Sequence, residues 1–303
     1  MSKLISVIIP SFNPDRGRLS ETLNGLRLQS LECSQWELIL IDNNSTLPIE
    51  ADLTWHPHAR IVSENRQGLT YARLKGFEVA GGDIIIMVDD DNILDKDYLQ
   101  NMSALFAANP RLGTAGGKLA PRFASQPPQW LRPFYGNLAL RDLGETVLLA
   151  EWDNTYPANA AVGAGMGIRR IALIEYRADA TNSHAAIADR TAGQLSSGGD
   201  NDIVLATLRA GWQTGYFPQL RLTHIIPAER TQFAYICRLV NNTSKSWIQV
   251  LNKHNINPWA KIPAWTVPLR KAKAWVTLRA WAGKVNYIKW KGACGQFDGL
   301  ASI

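Results

Sequence analysis

The chain is poor in cysteine: Cys33, Cys237 and Cys294 are the only three in 303 residues, far apart and without a C-x-x-C pair. Neither a disulfide framework nor a cysteine zinc site is suggested, and a reducing compartment fits best. No window approaches the roughly 20 apolar residues that a membrane span needs. The opening Met1–Pro10 stretch is too briefly apolar for a signal peptide and lacks a small-residue cleavage site, so a cytoplasmic location is expected. Internal repeats and low-complexity segments are also missing. With 46% hydrophobic and 19% charged residues, disorder and collagen-like repetition are excluded, and a sizeable core is affordable.

Acid is scarce at one end. Residues 230–303 carry 12 Lys and Arg against one acid, a balance of +11, whereas residues 1–229 carry 20 against 25, a balance of −5. Between Trp259 and Lys291 there are eight cations, no acids and five tryptophans: Trp259, Trp265, Trp275, Trp281 and Trp290. Tryptophan and cations on amphipathic helices are what an anionic membrane surface attracts. Nucleic acid draws on the same ingredients. A basic helical cap with its tryptophans buried is the third reading.

What is present reads as alternating strands and helices. Leu4–Ile9 and Trp36–Ile41 are β-branched or apolar runs that predict buried strands. Between them Leu19, Leu23, Leu26 and Leu28, behind Ser20, predict a crossover helix of about three turns. A short strand near Arg60–Ser63, a helix over Gly68–Ala80 and an apolar strand over Asp83–Val88 follow. The order β-α-β-β-α-β implies an α/β fold with a mostly parallel central sheet and helices on both faces. Pro121–Asn159 and the Gly163–Gly167 segment read as loops and added strands. A helix from Asp200 to about Ala210 and two short strands, Gln213–Phe217 and Leu220–Thr223, complete this part.

Ligands of such sheets bind beyond the carboxyl ends of the strands. Pro10–Asn13, Asp42–Ser45 and Asp89–Asn92 all fall there. Three consecutive aspartates, Asp89, Asp90 and Asp91, repel one another unless a positive partner compensates. A hard cation, Mg2+ or Mn2+, taking one or two carboxylates plus substrate phosphates, is one answer. An acidic N-cap for the next helix, with Asp95 and Asp97, is the other. Ser197-Gly198-Gly199-Asp200-Asn201-Asp202 opens a helix, where Asp200 serves either as N-cap or as a general base. His224, just past a strand, is either a hydrogen-bonded packing residue or a third ligand for the cation.

Together these segments resemble family 2 glycosyltransferases of the GT-A fold, inverting enzymes that use nucleotide-diphosphate sugars. The resemblance runs over Val7–Tyr235. It rests on Val7–Asn13, Ile41–Ser45, Gly68–Arg73, the aspartate triplet, Gly163–Arg170, Gly199-Asp200 with Asp202, and His224–Arg230. It implies a catalytic domain over 1–235, with a nucleotide-sugar half to about 120 and an acceptor half over 121–235, plus a basic extension over 236–303. By resemblance Pro10, Phe12 and Asp42 line the base pocket, Arg73 lies near the diphosphate or the base, and Asp89 and Asp90 belong to the donor site. Asp91 holds the cation, a register that a shift to Asp90 and Asn92 would alter, and His224 joins as a ligand. Asp200 is the base.

Trp130, Gly165, Met166, Gly199 and Arg230 are candidates for the acceptor or sugar pocket. For Trp130 and Trp152 core or lid packing is an equal reading. Relatives often have a glutamate where Gly199 stands and an aspartate where Asn43 stands, which weakens identification of the donor. The expected activity is metal-dependent transfer of a hexosyl or N-acetylhexosaminyl group from a UDP- or dTDP-sugar. The expected acceptor is a glycan or lipid-linked molecule of bacterial surface polysaccharide or glycolipid synthesis. A lipid-linked acceptor favours the membrane reading of the tail, with the enzyme peripheral on the inner face, and no nucleic-acid partner is expected. A sugar nucleotidyltransferase would need a glycine-rich, arginine-bearing loop after the first strand, which Pro10–Pro14 is not. A silent binding module would leave Asp200 and the triplet without a purpose.

Overall fold

The computed structural model describes residues 4–181 and 198–303; Ser197, part of the expected lead-in to the Asp200 helix, lies outside them. The expected β-α-β-β-α-β order is present as β1 (Ile5–Ser11), α1 (Arg16–Arg27), β2 (Trp36–Asp42), β3 (Ala59–Ser63), α2 (Leu69–Val79) and β4 (Ile84–Met87). Then come β5 (Asn92–Leu94), α3 (Tyr98–Ala108), β6 (Leu112–Phe123), β7 (Leu148–Ala150), β8 (Gly167–Arg169), α4 (Ile174–Thr181), α5 (Gly199–Arg209) and β9 (Gln213–Ile226). Helices α6 (Phe233–Lys253), α7 (Val267–Thr277) and α8 (Lys284–Ser302) finish the chain.

Among the described residues nine strands form one sheet in the order β3-β2-β1-β4-β8-β6-β9-β5, with β7 also paired to β9. The block β3-β2-β1-β4 is parallel throughout, because each of its crossovers has room to return the chain to the same end. Strands β1 and β4 are buried at every residue, as expected of a sheet covered on both faces. Each fully buried Ile or Leu contributes about 1.5–3 kcal/mol. Helix α2 lies close on β1 because Gly76 has no side chain: a Cβ there would stand 2.8 Å from Ile8 Cδ1.

Two local expectations are corrected. Helix α1 begins before Ser20, at Arg16, because the Asp15 carboxylate accepts the Arg18 N–H and caps it. The two short strands after α5 are one 14-residue strand, β9, which runs through Pro218. Gly117 of β6 admits it: a Cβ there would overlap the Phe217 and Leu220 carbonyl oxygens at 2.6 and 2.0 Å.

The chain has two compact units. Over the described residues the first comprises 4–122, 140–181 and 200–225, and the second 123–139, 198–199 and 226–303. In the second, α6 and α8 pack through small residues; a Cβ on Gly295 would meet the Asn241 carbonyl oxygen at 2.0 Å. Among the described residues no helix is long and apolar enough to cross a membrane.

Candidate active site

The carboxyl ends of β1, β2 and β4 carry the candidate residues, and side-chain amides and hydroxyls lace them together. Ser11 pairs in register with Asp42, and its hydroxyl donates to Asp90 Oδ2 in a short contact. Asp42 Oδ1 accepts the Ser45 N–H at 3.0 Å. Asn13 and Asn44 both take positive φ, 46° and 61°, which asparagine tolerates better than most residues. Asn13 Oδ1 accepts the Thr46 N–H at 2.9 Å, so the loops after β1 and β2 are joined. Pro10 is buried at the strand end, and Phe12 is 38% exposed, free to present its ring to a ligand.

Asn43, which weakened the sequence match, has a structural job. Its Nδ2 donates to the Glu64 and Arg66 carbonyls at 3.3 and 2.7 Å, and its Oδ1 accepts the Gly68 N–H at 2.7 Å. That clasp ties β2 to the loop leading into α2, whose N-cap Gly68 has φ 140°. An aspartate could accept but not donate. Glu64 holds Arg66 through two bonds at 3.0 Å, and the Arg66 guanidinium lies 4.8 Å from the Tyr71 ring centroid. The Arg66 guanidinium beside Glu64 holds that carboxyl below its ordinary value, against the opposing effect of burial.

The aspartate triplet is a turn, not a helix cap. Strand β5 separates it from α3, and Asp97 makes no side-chain capping bond. Asn92, fully buried, is the turn's internal frame: Oδ1 accepts the Asp89 N–H at 3.3 Å and Nδ2 donates to Asp91 Oδ1 at 3.1 Å. Asn92 pairs in register with His224 on β9, and the Ile225 N–H donates to the Asp91 carbonyl at 2.8 Å. This pairing brings His224 Nε2 to 3.4 Å from Asp91 Oδ1. Burial pushes the Asp90 carboxyl up to about 6; the Ser11 bond and Arg18 oppose this, and Asp91 and Asp89 add to it. A cation beside the triplet would act in the opposite sense.

The residues fit a divalent cation. Among the described residues no group of three or more His, Cys, Asp or Glu side chains forms a cage. Mg2+ and Mn2+ sites completed by substrate phosphates need only one or two protein ligands. The Asp91 carboxylate and His224 imidazole supply such a pair.

Asp200 sits in the first turn of α5, partly exposed, whereas Asp202 is buried. Asp200 Oδ2 accepts the Gly163 N–H at 3.0 Å. Gly163 is also where Arg73 arrives: a Cβ there would lie 3.0 Å from an Arg73 guanidinium nitrogen and 3.1 Å from Asp200 Cβ. Tyr156 donates to Asn201 Oδ1 at 2.6 Å. Burial, helped by the Asp200 charge, pushes the Tyr156 phenol up.

The remaining candidates are backbone, packing or second-unit residues. Gly165 has φ 76°, its N–H donates to the Met87 carbonyl at 2.8 Å, and its own carbonyl accepts the Tyr98 hydroxyl at 2.7 Å. The Met166 side chain is fully buried, and Trp152 packs against the same core. Gly199 is buried at the start of α5. Arg169 is structural, donating to the Phe106, Asn109 and Leu112 carbonyls. Trp130 and Arg230 belong to the second unit. Trp130 packs edge-on against Phe233 at 5.8 Å, and Arg230 Nε donates to the Tyr235 hydroxyl at 3.3 Å. Reasoning from sequence missed Glu64 altogether, gave Ser11 only as part of the Val7–Asn13 stretch with no role of its own, and missed the roles of Asn43 and Asn92. For the two asparagines, an amide directly after an aspartate at the carboxyl edge of the sheet was the available signal.

Comparison with known proteins gives the family and the fold. The family model described as "Glycosyl transferase family 2" matches residues 6–170. The glucosyl-dolichyl phosphate glucuronosyltransferase of Haloferax volcanii is 25% identical over 51% of this chain and 51% of its own length. An N-acetylglucosaminyltransferase of Azorhizobium caulinodans is 22% identical over 74% of this chain and 55% of its own. The match thus spans about half the length of these curated relatives. The crystal structure of S. aureus TarS 1-349 in complex with UDP-GlcNAc superposes with a TM-score of 0.54 at 14% identity, covering 99% of this chain and 91% of that one. This likeness shows a shared fold, of the GT-A type. The α/β sheet that gathers the candidate residues at the carboxyl ends of β1, β2 and β4 therefore has a family: the chain belongs to glycosyl transferase family 2.

Proposed function

We propose that the chain is an inverting glycosyltransferase that moves one hexosyl or N-acetylhexosaminyl group from a UDP- or dTDP-sugar to an acceptor hydroxyl. The observation that carries this reading is the meeting of Asp200 and Arg73 at Gly163. A carboxylate able to accept a proton and a cation able to face a diphosphate lie within reach of one reacting centre. Around it, Pro10, Phe12 and Asp42 line the base pocket, with Asp42 accepting from the imide N–H of uracil or thymine. Asp89 approaches the ribose, and Asp90, tied to Ser11, shapes the donor site. Asp91 and His224 would hold Mn2+ or Mg2+. When bound, that ion supplies positive charge to the diphosphate leaving group.

The acceptor hydroxyl gives its proton to Asp200 as its oxygen attacks the anomeric carbon from the face opposite the diphosphate. The new carbon–oxygen bond forms as the bond to the diphosphate oxygen breaks, and the configuration inverts. One carboxylate suffices, because the leaving group needs no proton, unlike in two-carboxylate hydrolases. Arg73 offers its fixed fork of N–H donors to the departing phosphates.

The catalytic part extends to about residue 235, with 236–303 as an extension. Trp130, Gly165, Met166, Gly199 and Arg230 are the candidates on the acceptor and sugar side; Gly165 and Met166 would act through backbone and packing. A glycan or lipid-linked acceptor of bacterial surface polysaccharide or glycolipid synthesis suits a cytoplasmic enzyme working at the inner membrane face. The relative named an N-acetylglucosaminyltransferase supports the hexosamine option. Release of nucleoside diphosphate, measured over a panel of UDP-, dTDP- and GDP-sugars with Mn2+ or Mg2+, tests the reading. Turnover with one base, and a large fall in it for Asp200→Asn, is expected; equal turnover by the variant excludes Asp200 as the base.

A further inference from the structure

The basic tail does not use its tryptophans uniformly. Trp275 and Trp290 stack edge-on at 4.8 Å between α7 and α8, and Trp290 Nε1 donates to the Lys271 carbonyl at 3.0 Å. These two are packing residues, as are Val267 and Ala274 on the same side of α7. The other face of α7 is different. Trp265, Leu269, Ala272 and Val276 follow the spacing i, i+4, i+7, i+11, which aligns them in one stripe. All four are exposed, Trp265 at 75%, Leu269 at 66% and Val276 at 60%. Trp281, just beyond the helix, is 58% exposed. A helix that buries one face and still carries an apolar stripe on the other has an unpartnered surface.

Exposed cations border the stripe, Lys273 and Arg270 along one side of α7 and Arg279 just past its end. The region's acid, Asp298, is already engaged with Lys271 at 2.7 Å. The surface is therefore apolar along its middle and positive along one side and at its end.

We propose that this face of α7, with Trp265 and Trp281 at its ends, docks on an anionic lipid bilayer, lying in the interface and not crossing it. This deepens the reading of an enzyme at a membrane face by naming the surface, and it draws no support from Asp200 or the triplet. Leu269, Ala272 and Val276 enter the boundary between headgroups and acyl chains, tryptophan rings sit at headgroup level, and the cations meet lipid phosphates. Two other occupants fit less well. Only Trp265 and Trp281, at the two ends, offer ring faces; Leu269, Ala272 and Val276 between them give successive nucleic-acid bases nothing to stack on. A second copy of the chain related by a two-fold axis would bring together two faces that each carry Arg270 and Lys273, while Asp298 is already engaged with Lys271.

The test is flotation of the full chain with vesicles of phosphatidylcholine alone or with phosphatidylglycerol added. Its variants are Leu269→Glu/Val276→Glu and Arg270→Glu/Lys273→Glu, whose exposed positions leave the melting temperature unchanged. The chain is expected to float with anionic vesicles and to dissociate as salt rises. The stripe variant should lose partitioning by about tenfold or more, and the charge variant its preference for anionic lipid. Equal flotation of wild type and stripe variant, or no flotation by either, overturns the proposal. So does a result in which Leu269→Glu/Val276→Glu abolishes binding of a labelled single-stranded oligonucleotide, or dimerisation seen by light scattering, while flotation is unchanged. Nucleoside diphosphate release, measured in parallel, separates the two readings: its absence leaves the lipid result standing, and lost flotation leaves the transfer result standing.

Discussion

The Gly163 N–H donates to Asp200 Oδ2 at 3.0 Å, so a backbone amide on the loop before β8 fixes the orientation of a carboxylate in the first turn of α5. The same glycine leaves space for Arg73, buried on α2. Three segments distant in sequence meet where one residue lacks a side chain.

Gly163→Ala tests that meeting. Its Cβ would lie 3.0 Å from Arg73 and 3.1 Å from Asp200, so both must give by a few tenths of an ångström. Overpacking of this kind costs about 1–3 kcal/mol. A larger fall in turnover than in stability is expected, because a small misplacement of reacting groups can cost about a hundredfold. Paired measurements of kcat and urea midpoint check this; loss of both in proportion would make Gly163 a packing residue only.

Asn43→Asp should weaken donor binding and stability together. The carboxylate keeps the Gly68 contact but leaves the Glu64 and Arg66 carbonyls without their donor. A cost of about 1–3 kcal/mol follows from stranding buried acceptors. Chemical denaturation and nucleotide titration are the measurements, and unchanged values in both would refute the clasp.

The α/β order was legible in the sequence because buried parallel strands read as unbroken β-branched runs, and Ile84-Ile85-Ile86 admits little else. The edge bearing Asp42 and the triplet followed from that order alone. Asn92 was less legible. Beside three aspartates it reads as a weaker ligand, and only the pairing of β5 with β9 reveals a buried amide that shapes the turn and brings His224 to Asp91. Likewise, composition identifies the tail's tryptophans, but only the packing of α7 on α8 separates Trp275 and Trp290 from Trp265 and Trp281. The two strands expected over Gln213–Phe217 and Leu220–Thr223 are one, and tertiary pairing carries β9 through Pro218 although proline lacks a donor.

Chelation with EDTA should abolish transfer, and Mn2+ or Mg2+ should restore it. Asp91→Asn and His224→Ala should each raise the metal concentration needed for half-maximal activity by at least the roughly 10–100-fold that loss of an outer-shell partner costs. Metal titrations of both variants decide it, and wild-type curves for both would remove the pair from the metal site.

Acid should destabilise the fold partly through Glu37. Burial raises this carboxyl, but the Ser6 hydroxyl, the Gly81 amide and Arg60 outweigh it, and the group ends below its ordinary value of 4.5. A depressed carboxyl contributes fully above its unfolded value and loses that contribution as pH falls through the folded one. Denaturation midpoints between neutral pH and about pH 3 should therefore drop more steeply below 4.5 for wild type than for Glu37→Gln. Parallel curves would contradict the assignment.

Asp200→Asn is the most direct measurement of all. Asparagine retains an oxygen for the Gly163 N–H but is neutral and cannot take a proton. Transfer with the preferred donor should fall by about 10²–10⁴-fold, with donor affinity and melting temperature unchanged. A variant that transfers sugar at the wild-type rate would contradict the proposed mechanism at its centre.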